Sequence, residues 1–145
     1  MSPTAVKPPV WFMIVAILAI IWNLMGVLAF VGDTFVTPEV IDQMPELDQK
    51  IRRMYPEWSA IVFGIATISA AIASLGLTLR KSWSHYLFLI SFIAVLVQSY
   101  YTFVVIDFIS LKGFGMDTIM SLAIVFIGAF LLWFSYIAAK KRWII

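Results

Sequence analysis

The sequence predicts an all-α fold: an integral membrane four-helix bundle, both termini cytoplasmic, with an amphipathic helix in the first extracytoplasmic loop. Three observations predict it. Of 145 residues, 63% are hydrophobic and only 12% are charged, whereas a soluble domain is about half apolar and about a quarter charged. The apolar residues fall into four long runs, each about the length that crosses roughly 30 Å of hydrocarbon. The charges lie between those runs, and their signs sort by side. The whole chain, 1–145, reads as one four-span membrane domain, with spans at about 10–31, 58–79, 86–106 and 118–139 and a loop helix at about 38–54.

Residues 1–9 carry Pro3, Pro8, Pro9 and one base, Lys7, and read as a disordered polar tail. Pro9 suits a helix's first turn, where a missing N–H costs nothing. The first span opens on Trp11 and Phe12, carries Trp22 and Asn23 inside, and ends at Gly32-Asp33. It exceeds the roughly 7–15 residues of a signal-peptide core, so it reads as a retained helix.

The segment 33–57 is the one sizeable polar region. Thr37-Pro38-Glu39 is a helix-start signal. Val40, Met44, Leu47, Ile51 and Met54 follow at steps of three and four, which places them on one helical face. Acids fill its first half and Lys50, Arg52 and Arg53 its second, as the helix dipole favours. Pro45 is expected to kink or split this helix, and Tyr55, before Pro56, to end it.

The second span is organised by small residues. Ala60 and Gly64, Ala66, Ala70 and Ser74, and Ser69 and Ala73 recur at four-residue steps. Such ridges let helix backbones approach closely in lipid, so this helix is expected to be the most buried. The packing positions are Gly64, Ala70 and Ser74, with Gly128 on the fourth span. A tight turn over 80–84 leads to the third span, which carries Gln98, Ser99, Tyr100, Tyr101 and Thr102. A short loop over 107–117 follows, and Asp117-Thr118 is expected to cap the fourth span. Trp11, Trp58, Trp83 and Trp143 lie at span ends, where aromatic anchors gather.

Orientation follows from the bases. Lys7, Arg80, Lys81, Lys140, Lys141 and Arg142 share one side with no acid, and the other side holds all 8 acids with four bases. The positive-inside rule places the basic side, with both termini, in the cytoplasm. The bacterial inner membrane is the expected location. Arg80 and Lys140, and Trp83 and Trp143, are 60 apart; Asn23 and Gln98 are 75 apart. A parallel repeat would produce these offsets. Shared topology with similar flanks produces them too, and more simply.

Enzyme templates find little here. There is no cysteine and one histidine, His85. That excludes disulfides, thiolate chemistry and paired-histidine metal sites. No acid or lysine lies inside a span, where ionisable groups mark proton or ion pathways. No catalytic residue, metal or cofactor is assigned, and the chain is expected not to be an enzyme. A net charge of +2 gives no reason to expect nucleic acid. The candidate site is a polar layer: Asn23, Thr67 and Gln98 at one membrane depth, with Tyr101 a turn further out. It would line a midplane site for a small polar solute. The simpler reading is structural, with amides bonding across helices to escape lipid. Trp22 and Trp133 read as packing, and His85 as an interfacial anchor.

Trp22-Asn23-Leu24-Met25-Gly26, Pro56-Glu57-Trp58, Arg80-Lys81-Ser82-Trp83 and the stretch Ser91 to Gln98 resemble a family of small bacterial four-span membrane proteins. Many of that family are labelled sugar transporters. The resemblance is densest from Pro56 to Gln98. It departs at Ala70-Ala71, where a Gly pair is common. It implies the four-span fold and a transport label without a mechanism. Two functions are therefore expected: an oligomeric transporter or channel for a small polar solute, or a non-catalytic accessory or scaffold subunit of a larger membrane complex. Membrane lipids, and a homo-oligomer or such a complex, are the expected partners.

Overall fold

A computed structural model describes residues 4–145. The described residues are helical and contain no strand. The elements are α1 (Val10–Thr34), α2 (Pro38–Asp42), α3 (Glu46–Met54), α4 (Trp58–Thr78), α5 (Trp83–Tyr100), a π-helical segment (Tyr101–Val105), α6 (Phe108–Lys112) and α7 (Met116–Lys140). Four helices are long and apolar enough to cross a membrane: α1, α4, α5 with its π segment, and α7. This is a membrane protein, and its exposed surface along those helices is apolar as lipid requires.

Pro45 splits the loop helix into α2 and α3, one of the two outcomes expected of it, because its ring cannot continue an α-helix. Other boundaries differ from expectation for local reasons. Thr37 occupies the α2 N-cap without a side-chain bond. The third span starts at Trp83 and ends in the π segment, closed by Ile106 N–H donating to the Tyr101 carbonyl. The predicted loop over 107–117 contains α6, entered through Asp107 in the left-handed region at φ 56°. The α7 N-cap is Gly115, and Thr118 instead donates to the Gly113 carbonyl.

The tail expected to be disordered is tied down where it is described; residues 1–3 lie outside the described residues. Val6 N–H donates to the Arg142 carbonyl. Arg80 reaches both tails, donating from Nη2 to the Val6 carbonyl and from Nε to the Trp143 carbonyl. Helices α4 and α7 end alike, each with a 6→1 bond: Lys81 N–H to Gly76, and Trp143 N–H to Ala138. The matched left-handed residues are Arg80 and Arg142. This equivalence does not follow the 60-residue offset, which pairs Arg80 with Lys140.

The membrane helices pack in the order α1, α4, α5, α7. Helix α4 lies inside: 39% of its apolar window is buried, against at most 22% in the other three. Helices α1 and α7 share no broad face. They meet through rings at the basic end, where Phe12 stacks on Phe134 and Trp11 tilts against it. Ala16, Ala73, Leu77, Phe88, Leu131, Trp143 and Ile144 complete this core. Trp143 is 8% exposed and edge-on to Trp11 and Phe12, so it is a core residue rather than an interfacial anchor. It is buried because Ile145 N–H pairs with the Arg80 carbonyl and Ser82 N–H with the Ile145 carbonyl, folding the segment under the bundle.

At the acidic end, α3 lies over the π segment. Ile51 packs with Ile106 and Phe108. Arg52 pairs with Asp33 at the end of α1, and Lys112 pairs with both Asp48 of α3 and Asp117 of α7. These bonds raise the Lys112 ammonium above its ordinary range.

A lateral cleft as the candidate functional site

The open side between α1 and α7 leads into a cleft of about 410 Å³, within the range of small-molecule sites. All four membrane helices line it. Helix α1 gives Trp22, Asn23 and Gly26; α4 gives Ala66, Thr67 and Ala70; α5 gives Ser91, Phe92 and Gln98; α7 gives Ser121, Ile124 and Gly128. No charged residue lines it. Its inner floor includes Phe88 and Leu131, which belong to the ring-rich core beneath. Met25, Met120 and Ile124 stand at the rim and are exposed. The rim along α1 and α7 is therefore apolar.

Small residues make the room and set the walls. The Phe30 ring of α1 lies over Gly64, where a Cβ would come within 2.9 Å of it. Ser91 donates to the Ala66 carbonyl at 2.7 Å and draws α5 onto α4. Gly128 faces the Phe92 ring, which a Cβ would meet at 3.2 Å. His85 Nδ1 lies 2.9 Å from Ser135 Oγ. That bond joins α5 to α7, so His85 is a helix bridge rather than a plain interfacial anchor.

The expected polar residues separate. Asn23, Thr67 and Gln98 line the cleft; Tyr101 does not. Tyr101 packs on Trp58 and Tyr55 and donates to the Met54 carbonyl. Nor do the two amides share one depth. Asn23 Nδ2 donates to Ser74 Oγ at 2.7 Å, and Gln98 Nε2 donates to Ser59 Oγ at 2.8 Å. Ser59 and Ser74 lie near opposite ends of α4, about 22 Å apart at the usual helical rise. The cause is an axial shift of α1 against α4, which sets Gly26 against Thr67 and Phe30 against Gly64.

Of the packing residues, Gly64, Ala70 and Ser74 are buried on α4, and Gly128 is half-buried on α7. Trp11, Trp58 and Trp83 are each about half exposed. Trp22 lines the cleft, and Trp133 faces outward. Sequence reasoning missed Ser91 as a lining residue and Ser59 as the partner of Gln98, and placed Thr102 only with the outer tyrosines. Thr102 donates to the Gln98 carbonyl and lies 2.7 Å from the Tyr55 hydroxyl. Burial raises the Tyr55 phenol above its ordinary range, so that hydroxyl is neutral. The signal for these residues was a hydroxyl at the helical spacing of a buried face.

A second depression, along Glu46, Gln49, Lys50 and Arg53, is one exposed face of α3 and holds nothing convergent. Among the described residues, no group of three or more His, Asp or Glu is placed to hold a metal ion. Compared with protein-family models, curated proteins and solved structures, the chain matches none.

Proposed function

We propose that this is a multi-pass protein of a bacterial inner membrane that binds a small ligand laterally, from the bilayer, and carries it as part of a transport process. The observation that supports this reading is the cleft between α1 and α7, with an apolar rim at Met25, Met120 and Ile124 and a floor of Phe88 and Leu131. Six bases at one end and the acids at the other support cytoplasmic termini. The α2–α3 segment then lies outside, on the membrane surface. A floored cleft in one chain favours a carrier over an open channel, and a continuous route would need a second conformation or neighbouring copies.

The test is photo-crosslinking in lipid nanodiscs with a diazirine-bearing fatty alcohol. Labelling of Met25 and Met120 supports the reading. Labelling spread evenly over the lipid-facing helices contradicts it. Gly26→Leu is the control. Gly26 lines the cleft and a Cβ there meets Thr67 at an ordinary 3.5 Å, so a leucine takes up room at the cleft wall between α1 and α4.

A second reading has its own support. Helix α1 packs broadly on α4 alone, and only 17% of its apolar window is buried. An accessory subunit would present such a helix to a larger complex. Gentle extraction would then yield a mixed particle.

A further inference from the structure

The polar atoms of the cleft are unequally engaged. Both amides use their nitrogens: Asn23 Nδ2 on Ser74 and Gln98 Nε2 on Ser59. The hydroxyl hydrogens of Thr67, Ser91 and Thr102 go to backbone carbonyls of Phe63, Ala66 and Gln98. Of the cleft's buried side-chain polar atoms, one is left without a partner. Gln98 Oε1 is buried and has no hydrogen-bond partner among the described residues. A buried carbonyl oxygen without a partner is costly in a low-dielectric site, and a ligand hydrogen-bond donor removes that cost.

Charge narrows the ligand further. No Lys, Arg, Asp, Glu or His lines the cleft. A carboxylate, phosphate or ammonium would enter unpaired, at a cost far above that of one hydrogen bond. A hydroxyl has no such cost. The exposed rim of Met25, Met120 and Ile124 suits an alkyl chain.

We propose that the cleft takes an uncharged, hydroxyl-bearing amphiphile from the bilayer, its hydroxyl donating to Gln98 Oε1 and its chain lying along the α1–α7 opening. This rests on the lateral-binding reading and names the ligand class. A transmembrane helix of a partner or of a second copy would fill the same opening. An apolar helix face there would leave the buried Gln98 Oε1 acceptor without a donor.

The experiment is competition in nanodiscs against the diazirine-bearing fatty alcohol. The competitors are hexadecanol, its methyl ether, palmitate and hexadecyltrimethylammonium. Hexadecanol is expected to compete about five-fold better than the methyl ether, the ratio one neutral hydrogen bond supplies. The two charged chains should compete more weakly still. Gln98→Met keeps length and volume and should level alcohol with ether while the cleft still binds chains. Gln98→Asn, shorter by a methylene, checks whether acceptor reach matters, and should retain part of the preference.

An ether that competes as well as the alcohol overturns the proposal and leaves lateral binding standing. So does a preference that survives Gln98→Met. A charged chain that competes best also overturns it. No labelling of the cleft by any chain overturns both readings. Chain-to-chain adducts at the rim overturn both in favour of a helix in the opening.

Discussion

Asn23 of α1 donates to the hydroxyl of Ser74 of α4 at 2.7 Å, and that hydroxyl donates in turn to the Ala70 carbonyl at 2.8 Å. The relay fixes the axial position of α1 against α4, and so the wall of the cleft. It also makes the two partners unequal. Ser74→Ala leaves a buried amide without an acceptor, whereas Asn23→Leu leaves Ser74 still bonded to Ala70. Ser74→Ala should therefore destabilise more, by about 1–3 kcal/mol. Asn23→Leu should cost about 0.6 kcal/mol, the average for interhelical bonds in lipid. Thermal unfolding of both variants in one detergent checks the order.

Close approach at the α4–α5 turn gives a second prediction. A Cβ on Gly76 would lie 2.6 Å from two Trp83 ring atoms and 3.1 Å from Ser84 Cβ. Gly76→Ala must displace the indole and should cost about 1–3 kcal/mol. Trp83→Ala in the same chain removes the obstacle, so the double variant should be less destabilised than the sum of the two singles. Unfolding temperatures of the four chains in the cycle measure this coupling.

The floor is testable because the chain has no cysteine. Leu131 lines the cleft and belongs to the core below it. A single Leu131→Cys should resist a polar thiol reagent supplied from the basic side. Adding Trp143→Ala removes a ring packed on Trp11 and Phe12. Labelling from that side should then rise by an order of magnitude, with a loss of about 3–5 kcal/mol in stability. Unchanged labelling would place the seal elsewhere.

The cap at the acidic end should respond to alkali. Bonds to Asp117 and Asp48 raise Lys112 above its ordinary value of 10.5. The folded value exceeds the unfolded one, so the lysine's contribution is complete below the ordinary value. It is lost only as pH rises through the folded value. Hydrogen exchange in α3 should be insensitive to this group from neutral to mildly alkaline pH. Lys112→Met should loosen α3 across that whole range. The effect should be small, since exposed ion pairs contribute up to about 1 kcal/mol each.

The four spans were legible because lipid demands long apolar runs, and 58–79 and 118–139 fall within about two residues of α4 and α7. The small face of α4 was legible from its four-residue steps. The depth of the amides was not. Helical period reports which face a residue occupies, whereas axial register depends on partners such as Ser74 and Ser59 in another helix. Trp143 misled for a related reason. A tryptophan at a span end suits the interface, and only the return of Ile145 to Arg80 buries it. Three of the cleft's polar residues, Asn23, Thr67 and Gln98, were legible, but its open side was not, because that depends on what α1 and α7 do not share.

Native mass spectrometry of the particle gently extracted from its own membrane tests lateral binding most directly. The account predicts an uncharged lipid-like adduct on the wild-type protein, sharply reduced by Gly26→Leu at unchanged assembly. An adduct equally abundant in Gly26→Leu, or a particle free of small adducts with another protein's helix on α1, would contradict it.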